Sequence, residues 1–426
     1  MRIILSENFH AYFCLDTSLC GTLTCPHFCI GVNSLRNAQF RFPPFKRGTD
    51  GIFISSNQGR GAASAFERAH YSLTFVSAAI CAIVCSIVWL VLPAAAHAAS
   101  RKVIIDTDPG TDDAMAIMLA LNSPELDVRA LTVVPGNVTA TQGLENALKM
   151  VSLANRCDIP VAAGAQHPLF QKLVTAEFWH GKNGLANIEL PPSKCRADLR
   201  FGPDLIIQLI HANPHEITLV PVGPLTNIAL AVEKDPSIVP LVKEVIIMGG
   251  SIKGGNVNAA AEANIYNDPE AAQIVFQAGW PLTMVGLDVG DKTLFSRKEL
   301  EQLSHTHGPV NDFIYGVAKF LVELSEKFGD AGAPMYDPLA VGVAIDPSLV
   351  TAPAMHVDVE TRGEYSRGET VANRRNEIER NVLHHFPDGD RYVIEGVDKV
   401  TPNARVCVDV QADKFLQLFV SRIQGK

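Results

Sequence analysis

Between Arg101 and Lys426, short and nearly continuous apolar runs alternate with longer stretches in which apolar residues recur at helical spacing. The runs are 103–106 (VIID), 130–135 (ALTVVP), 160–164 (PVAAG), 217–221 (ITLVP), 245–250 (VIIMGG) and 282–287 (LTMVGL). The helical spacing falls over 112–122, 141–155, 203–212, 225–234, 269–278, 310–328 and 337–345. A strand over 405–410 and a helix over 412–424 close the chain. Before them, residues 372–402 are polar, with Arg374, Arg375, His384 and His385, and read as a solvent-exposed excursion. Apolar strands without polar alternation are covered on both faces, and helices between successive strands let those strands run parallel. The pattern predicts an α/β fold, an open, mainly parallel (mixed) sheet with helices on both faces. In such a sheet, ligands bind beyond the carboxyl ends of the strands.

The first hundred residues follow another pattern. Leu73 to Pro93 carries no charge, Arg68 precedes it, and Ala96-His97-Ala98 follows. A basic flank, an apolar run and an A-x-A site form a secretory signal pattern with cleavage after Ala98. The run also reaches the ~20 residues that span a bilayer. The expectation is therefore an exported chain, periplasmic or secreted, or a membrane-anchored one if the segment is uncleaved, with membrane contact through that segment only. The chain divides into a poorly defined extension (1–72), a signal or anchor (73–99) and one large domain (100–426). No Met occurs between Met1 and Met115, so a true start near 60–73 requires a non-Met codon.

Composition narrows the function classes. With 36 basic and 45 acidic residues the formal net charge is -9, which argues against a partner with a phosphate backbone, so no nucleic acid is expected. At 47% hydrophobic, the chain is not an intrinsically disordered one. Six of the nine cysteines precede residue 100, and Cys20, Cys25, His27 and Cys29 fit no zinc spacing. Cys157, Cys195 and Cys407 are too few and scattered for a disulfide framework and read as buried thiols.

The chemistry lies after the first strand. VIIDTDPGTDDAMAIMLAL places Asp106, Asp108, Asp112 and Asp113 within eight residues. Asp106 and Asp108 share one side of the strand end, and Thr111 can cap a helix whose first turn holds the other two. That helix is apolar all round, so the acidic loop lies beside the core. No Lys or Arg falls between Lys102 and Arg129. Crowded carboxylates without a basic neighbour must pair, protonate or bind a cation, and Ca²⁺ or Mg²⁺ with oxygen ligands is the natural neutraliser.

This run resembles the signature of the inosine-uridine-preferring nucleoside hydrolase family, a Rossmann-like fold, and the resemblance covers essentially all of residues 101–426. Val-Val-Pro-Gly-Asn137, Leu-Val-Pro-Val222-Gly-Pro-Leu-Thr-Asn, Met-Gly-Gly with Asn256 and Ala-Glu262-Ala-Asn264, and Tyr336-Asp337-Pro-Leu-Ala continue it in order. The resemblance implies Ca²⁺-dependent hydrolysis of the N-glycosidic bond of ribonucleosides to free base and ribose, serving purine or pyrimidine salvage. The transition state would be oxocarbenium-like. It implies metal ligation by Asp108, Asp113, the Val222 carbonyl and Asp337, with Asp108 also the general base. Asp112, Asn137, Asn256, Glu262 and Asn264 would bind the sugar, and Asp106 would orient the loop. Trp179-His180-Gly-Lys-Asn-Gly resembles a family loop whose His lies over the base, which makes His180 the candidate catalytic contact to the leaving group. Where the best-studied branch has a second His, this chain has Tyr336, a neutral phenol that can still donate a hydrogen bond. Family members are commonly dimers or tetramers, so a homo-oligomer is expected.

Two other classes are compatible with parts of the pattern. A haloacid-dehalogenase-type phosphohydrolase also ends its first strand in Asp-x-Asp, and Asp288 with Asp291 could supply its later acidic pair. A non-catalytic nucleoside-binding protein could use the same fold.

Overall fold

The computed structural model describes residues 100–373, 377–382 and 394–425, together with the strands Arg2–Leu5 and Ala11–Cys14. The chain forms two units, Met1–Pro93 and Ala94–Lys426. In the first, the two short strands pair antiparallel. The apolar run 73–93, the A-x-A site and the Cys20–Cys29 cluster lie outside the described residues.

In the second unit the main elements are β1 (Arg101–Thr107), α1 (Thr111–Leu121), β2 (Leu126–Val133), α2 (Ala140–Leu153), β3 (Val161–Ala163), α3 (Gly202–Ala212), β4 (Ile217–Pro221), α4 (Thr226–Lys234), β5 (Glu244–Met248), α5 (Pro269–Gln277), β6 (Leu282–Val285), α6 (Pro309–Lys327), α7 (Tyr336–Ile345), β7 (Ala354–Val359), β8 (Thr370–Asn373), β9 (Ala404–Val406) and α8 (Ala412–Ile423). Nine strands form one sheet in the order β8-β7-β9-β6-β5-β4-β1-β2-β3. From β9 to β3 all neighbours are parallel, while β7 runs antiparallel to both β9 and β8. The expected open, mainly parallel, mixed sheet is the observed one.

Successive strand residues face opposite sides of this sheet. Val103 and Ile105 of β1 enter the core shared with α1, α2, α6, α7 and α8. Ile104 enters the core shared with α3, α4 and α5. Each such aliphatic side chain, fully buried, contributes about 1.5–3 kcal/mol of burial free energy, so both faces are held in register by the same alternation.

Two helices position the site. Ala114 to Ala120 in α1 are each no more than 1% exposed, as their all-apolar sequence predicts. In α7, Asp337 to Ala344 are all buried. These two helices pack side by side, with Asp112 and Asp113 in the first turn of one and Asp337 in the first turn of the other. Helix N-termini carry partial positive charge, which favours carboxylates there.

Several expectations need correction. The expected export or membrane anchoring is not borne out: among the described residues no helix is long and apolar enough to cross a membrane, and the segment that suggested it lies outside them. The polar stretch 372–402 contains the end of β8 and an antiparallel pair, Glu377–Val382 with Ile394–Lys399; Arg374, Arg375, His384 and His385 lie outside the described residues. Cys157 and Cys195 are joined in a disulfide, their Cα atoms 5.1 Å apart, and only Cys407 is a buried thiol. Sequence spacing hid this pair because the loop from α2 to α3 folds back over 38 residues. Thr111 does not cap α1: the helix begins at that residue, and the Asp113 carboxylate accepts from the Gly110 N–H at 2.9 Å instead.

Candidate active site

The ends of β1, β2, β4 and β5 and the starts of α1 and α7 converge at one end of the sheet. Asp106 lies opposite Thr132 of β2 and Pro221 of β4 in the ladder. Its carboxylate accepts from Thr132 Oγ1 and, at 2.8 Å, from Asn227 Nδ2. Asn227 also donates to the Val133 carbonyl (3.1 Å) and accepts from the Ala165 N–H (2.8 Å). One buried amide thus ties the end of β2 and the loop at Ala165 to the strand that carries the acidic run. Burial pushes the Asp106 carboxyl up to about 7, opposed by those two donors.

Asp113 sits in a cradle of donors. Thr107 Oγ1 and the Asp108 N–H reach one oxygen, and the Gly110 N–H and Asn137 Nδ2, each at 2.9 Å, reach the other. Asn137 also donates its N–H to Asp108 Oδ2 at 2.6 Å. Asp108 is wedged between two glycines: a Cβ on Gly136 would lie 2.0 Å from its Oδ2, and one on Gly223 would lie 2.5 Å from its Oδ1. The backbone must approach that closely, so only Gly fits.

One carboxylate oxygen from each of Asp112, Asp113 and Asp337 lies within 4.8 Å of the others. Asp108 is not in this trio, although its charge acts on Asp337. Asp112, expected on the sugar, therefore sits among the acids expected on the metal. Burial raises the pKa of Asp337 well above the usual carboxylate range, reinforced by Asp112, Asp113, Asp108 and Glu262. Asp108 is raised by burial and by Asp113, and burial lifts Asp112 to about 6.

Asp108 Oδ1 and Asp337 Oδ2 are buried without a hydrogen-bond partner. Such orphaned oxygens are costly unless something cationic meets them. The basic group recorded against the cluster among the described residues is His180, with Nδ1 3.5 Å from Asp112 Oδ1. That nitrogen accepts from the Thr111 N–H at 3.2 Å and lies 2.7 Å from its hydroxyl. An amide N–H can only donate, so Nδ1 is the acceptor and the ring proton resides on Nε2. Burial lowers the imidazole to about 4, so it neutralises nothing at pH 7. Three close carboxylates with Asp108 acting on them, two orphaned oxygens and, among the described residues, no fixed cation against them suit a divalent ion bound through oxygen.

Beyond β4, the Val222 carbonyl accepts from Asn264 Nδ2 at 2.9 Å. The same amide meets the Met248 carbonyl at 3.2 Å. Glu262 caps a short helical turn, accepting from the N–H groups of Asn264 (2.8 Å), Ile265 (3.1 Å) and Gly250 (3.0 Å). Asn256 is exposed, and its Oδ1 accepts from the Ala263 N–H at 3.0 Å. The Tyr336 hydroxyl donates to Asp291 Oδ1 at 2.8 Å. Asp288 accepts from the Ile252 N–H at 2.9 Å, so the acidic pair that suggested a phosphohydrolase serves two other local tasks.

Sequence reasoning had no role for Thr107, Thr132 or Asn227, and placed Asp291 only in the acidic pair of the phosphohydrolase alternative. Asn227 stood in the quoted PVGPLTN run, and its burial beside a strand-end acid was the missing signal. Thr107 and Thr132 were legible only as β-formers, and the Asp291–Tyr336 bond joins residues 45 positions apart.

Residues 103–417 match the family described as inosine-uridine preferring nucleoside hydrolase. The pyrimidine-specific ribonucleoside hydrolase RihA of Citrobacter koseri is 39% identical over 323 residues, 75% of this chain and 97% of that protein. Among solved structures, the plant nucleoside hydrolase PpNRh1 superposes with a TM-score of 0.68 at 39% identity, covering 76% of this chain and 99% of that one. A purine-preferring ribonucleoside hydrolase from Gardnerella vaginalis gives 0.68 at 34%, covering 76% and 98%. With a family match across most of the chain, and relatives of this identity aligned almost end to end, the protein is a hydrolase and belongs to the inosine-uridine preferring nucleoside hydrolase family.

Proposed function

We propose that the chain hydrolyses the N-glycosidic bond of ribonucleosides to free base and ribose, with a divalent cation, Ca²⁺, bound at the acidic cluster. The observation that carries this reading is the pair of orphaned oxygens, Asp108 Oδ1 and Asp337 Oδ2, buried among like charges. Asp108, Asp113, Asp337 and the Val222 carbonyl would hold the ion, and Asp112 joins them because its oxygen shares the trio with Asp113 and Asp337. When bound, the ion would offset the carboxylate charge and act as a Lewis acid toward hydroxyl oxygens.

Asp108 is the general base. Its free Oδ1 takes a proton from water, and the resulting hydroxide oxygen bonds to C1′ as the C1′–N bond breaks through an oxocarbenium-like transition state. The bond's electron pair leaves on the base nitrogen, which gains a proton in turn. Asn137, bonded to both Asp108 and Asp113, fixes the orientation of the two acids. Glu262, Asn264 and Asn256 line the sugar side, where the resemblance assigns the ribose hydroxyls. His180, with its Nε2 proton free of the Thr111 contact, is the candidate donor toward the leaving base. The relatives' names include one pyrimidine-specific and one purine-preferring enzyme, so both base classes belong in any assay. Residues 100–426 are the catalytic domain, assembling as a homo-oligomer, a dimer or a tetramer.

The test is reducing-sugar release from inosine, adenosine, uridine and cytidine by the wild type and by Asp108→Asn. The variant should lose at least about a thousandfold in kcat, within the range seen when a nucleophile-activating group is removed, with an unchanged circular-dichroism spectrum. Turnover within a few-fold of wild type overturns the assignment. Ribose release without Asp108 would require another base.

A further inference from the structure

We infer that Asn146 is a positioning residue for the hydrolysis, its one buried amide fixing the lobe that carries His180 against the acidic turn. The inference rests on the proposed reaction at this site, with His180 taking part in it.

Asn146 lies on α2 and is 1% exposed. Its Nδ2 donates to the Pro109 carbonyl at 3.0 Å and to the Asn183 carbonyl at 2.8 Å. A carbonyl oxygen only accepts, so both amide hydrogens are committed, one to each side. The amide oxygen accepts from Gln142 Nε2 at 3.0 Å, one helical turn earlier. Pro109 belongs to the turn between Asp108 and Asp112, and Asn183 lies three residues beyond His180. A single side chain therefore joins the acidic turn to the lobe that bears the imidazole.

That lobe is tied to itself as a unit. The Ala186 N–H donates to the His180 carbonyl at 2.8 Å, and the Gly184 N–H donates to the Gly181 carbonyl at 3.0 Å. Asn183 Oδ1 accepts from the N–H groups of Leu185 (2.9 Å) and Asn187 (3.0 Å), while its Nδ2 donates to the Ile188 carbonyl at 3.0 Å. A displacement of Asn183 is thus carried through to His180. On the other side of the imidazole, the Ala176 N–H donates to the Asn137 carbonyl at 3.0 Å. Between these two anchors His180 meets Thr111 and Asp112. Gly184 sets how closely the lobe approaches. Its φ is +79°, and an added Cβ would lie 2.7 Å from Val138 Cγ1 and 3.0 Å from both Asn146 Nδ2 and the Pro109 carbonyl oxygen. Only glycine accepts that conformation and that approach together.

Without the two donors of Asn146, two carbonyls lose their partner and the lobe loses one of its anchors. A shift of about 1 Å in a reacting group lowers turnover by about a hundredfold. Asn146 acts through His180 in this scheme, so its effect should vanish once the imidazole is gone.

The experiment measures kcat for ribose release from uridine and inosine in wild type, Asn146→Asp, Gly184→Ala, His180→Ala and the two double variants that include His180→Ala. Asn146→Asp keeps the shape of the side chain and sets acceptors where the two carbonyls need donors. It should lower kcat by about a hundredfold, and His180→Ala by about a hundredfold or more. Each double variant should stay within about threefold of His180→Ala alone, because residues that act as a unit are not additive. Gly184→Ala leaves Asn146 in place and drives a methyl into the same contact, so it should show the same pattern. It also carries the comparison where Asn146→Asp does not fold. Losses that multiply in the double variants would assign Asn146 to general support of the fold, and overturn the inference. Turnover within a few-fold of wild type in both Asn146→Asp and Gly184→Ala, or in His180→Ala, overturns it as well. Absence of ribose release by the wild type overturns the hydrolytic reading, and this inference with it.

Discussion

Replacing Asp337 by Asn should act on stability in opposite directions with and without the cation. In the stripped protein, one oxygen from each of three aspartates lies within 4.8 Å of the others. Two unit charges at that separation repel by about 3.5 kcal/mol at an effective dielectric of 20. Removing one of three acids removes two such terms, about 7 kcal/mol together. Proton uptake caps the cost, because discharging a carboxyl at pH 7 requires only about 4 kcal/mol from its ordinary range. The variant lacking calcium should therefore be more stable than wild type by about 1–4 kcal/mol. For a domain of this size that raises Tm by about 2–6 °C. In excess Ca²⁺ the order reverses. Wild type should gain about 4.1 kcal/mol at a thousandfold excess over Kd, whereas the variant, lacking a ligand, gains little. Differential scanning calorimetry at pH 7, in chelator and in millimolar CaCl₂, reads both arms. A variant destabilised in chelator, or a wild type whose Tm is unmoved by Ca²⁺, would refute the reasoning.

Other consequences follow from the same geometry. Gly136→Ala places a methyl 2.0 Å from Asp108 Oδ2, so the carboxylate must move; ribose release should fall at least about a hundredfold, since small misplacements cost that much, while the circular-dichroism spectrum is retained. Activity within a few-fold of wild type would mean that Asp108 is not held where the reaction needs it. Asn227→Ala removes two donated bonds and one accepted bond in the buried tie between β1, β2 and the Ala165 loop. It should cost about 2–4 kcal/mol, because the partners left behind are buried, and chemical denaturation with urea should show a lower midpoint at unchanged slope; an unchanged midpoint would make the tie dispensable.

Much of the fold was legible because its signal is periodic and local. The parallel strands are apolar runs, and α1 and α7 lack a polar face, so their burial follows from composition alone. The edge was less legible. In β7, Met355, Val357 and Val359 point inward while alternate residues do not, a period-two signal available in the sequence but short and half-exposed. The second strand begins at Leu126, earlier than its apolar run, because Asp127 and Arg129 pair on the surface at its start.

The site divides in the same way. The acidic run after β1 announced itself through four aspartates and no neighbouring base. Asp337 was reached through resemblance, and packing of α7 on α1 explains why it joins them. What the sequence could not carry were hydrogen bonds across long separations. Thr132 and Asn227 hold Asp106, Thr111 holds His180, and Asp291 accepts the hydrogen bond of the Tyr336 hydroxyl. Each depends on which strands and helices become neighbours.

The most direct test of the buried carboxylates as a cation-dependent hydrolytic centre is a titration of activity. Protein stripped with a chelator and freed of it should release no ribose from any of the four nucleosides. Adding Ca²⁺ back should restore release in proportion, saturating at one ion per chain. Full activity in the stripped protein, or none after repletion, would contradict that centre.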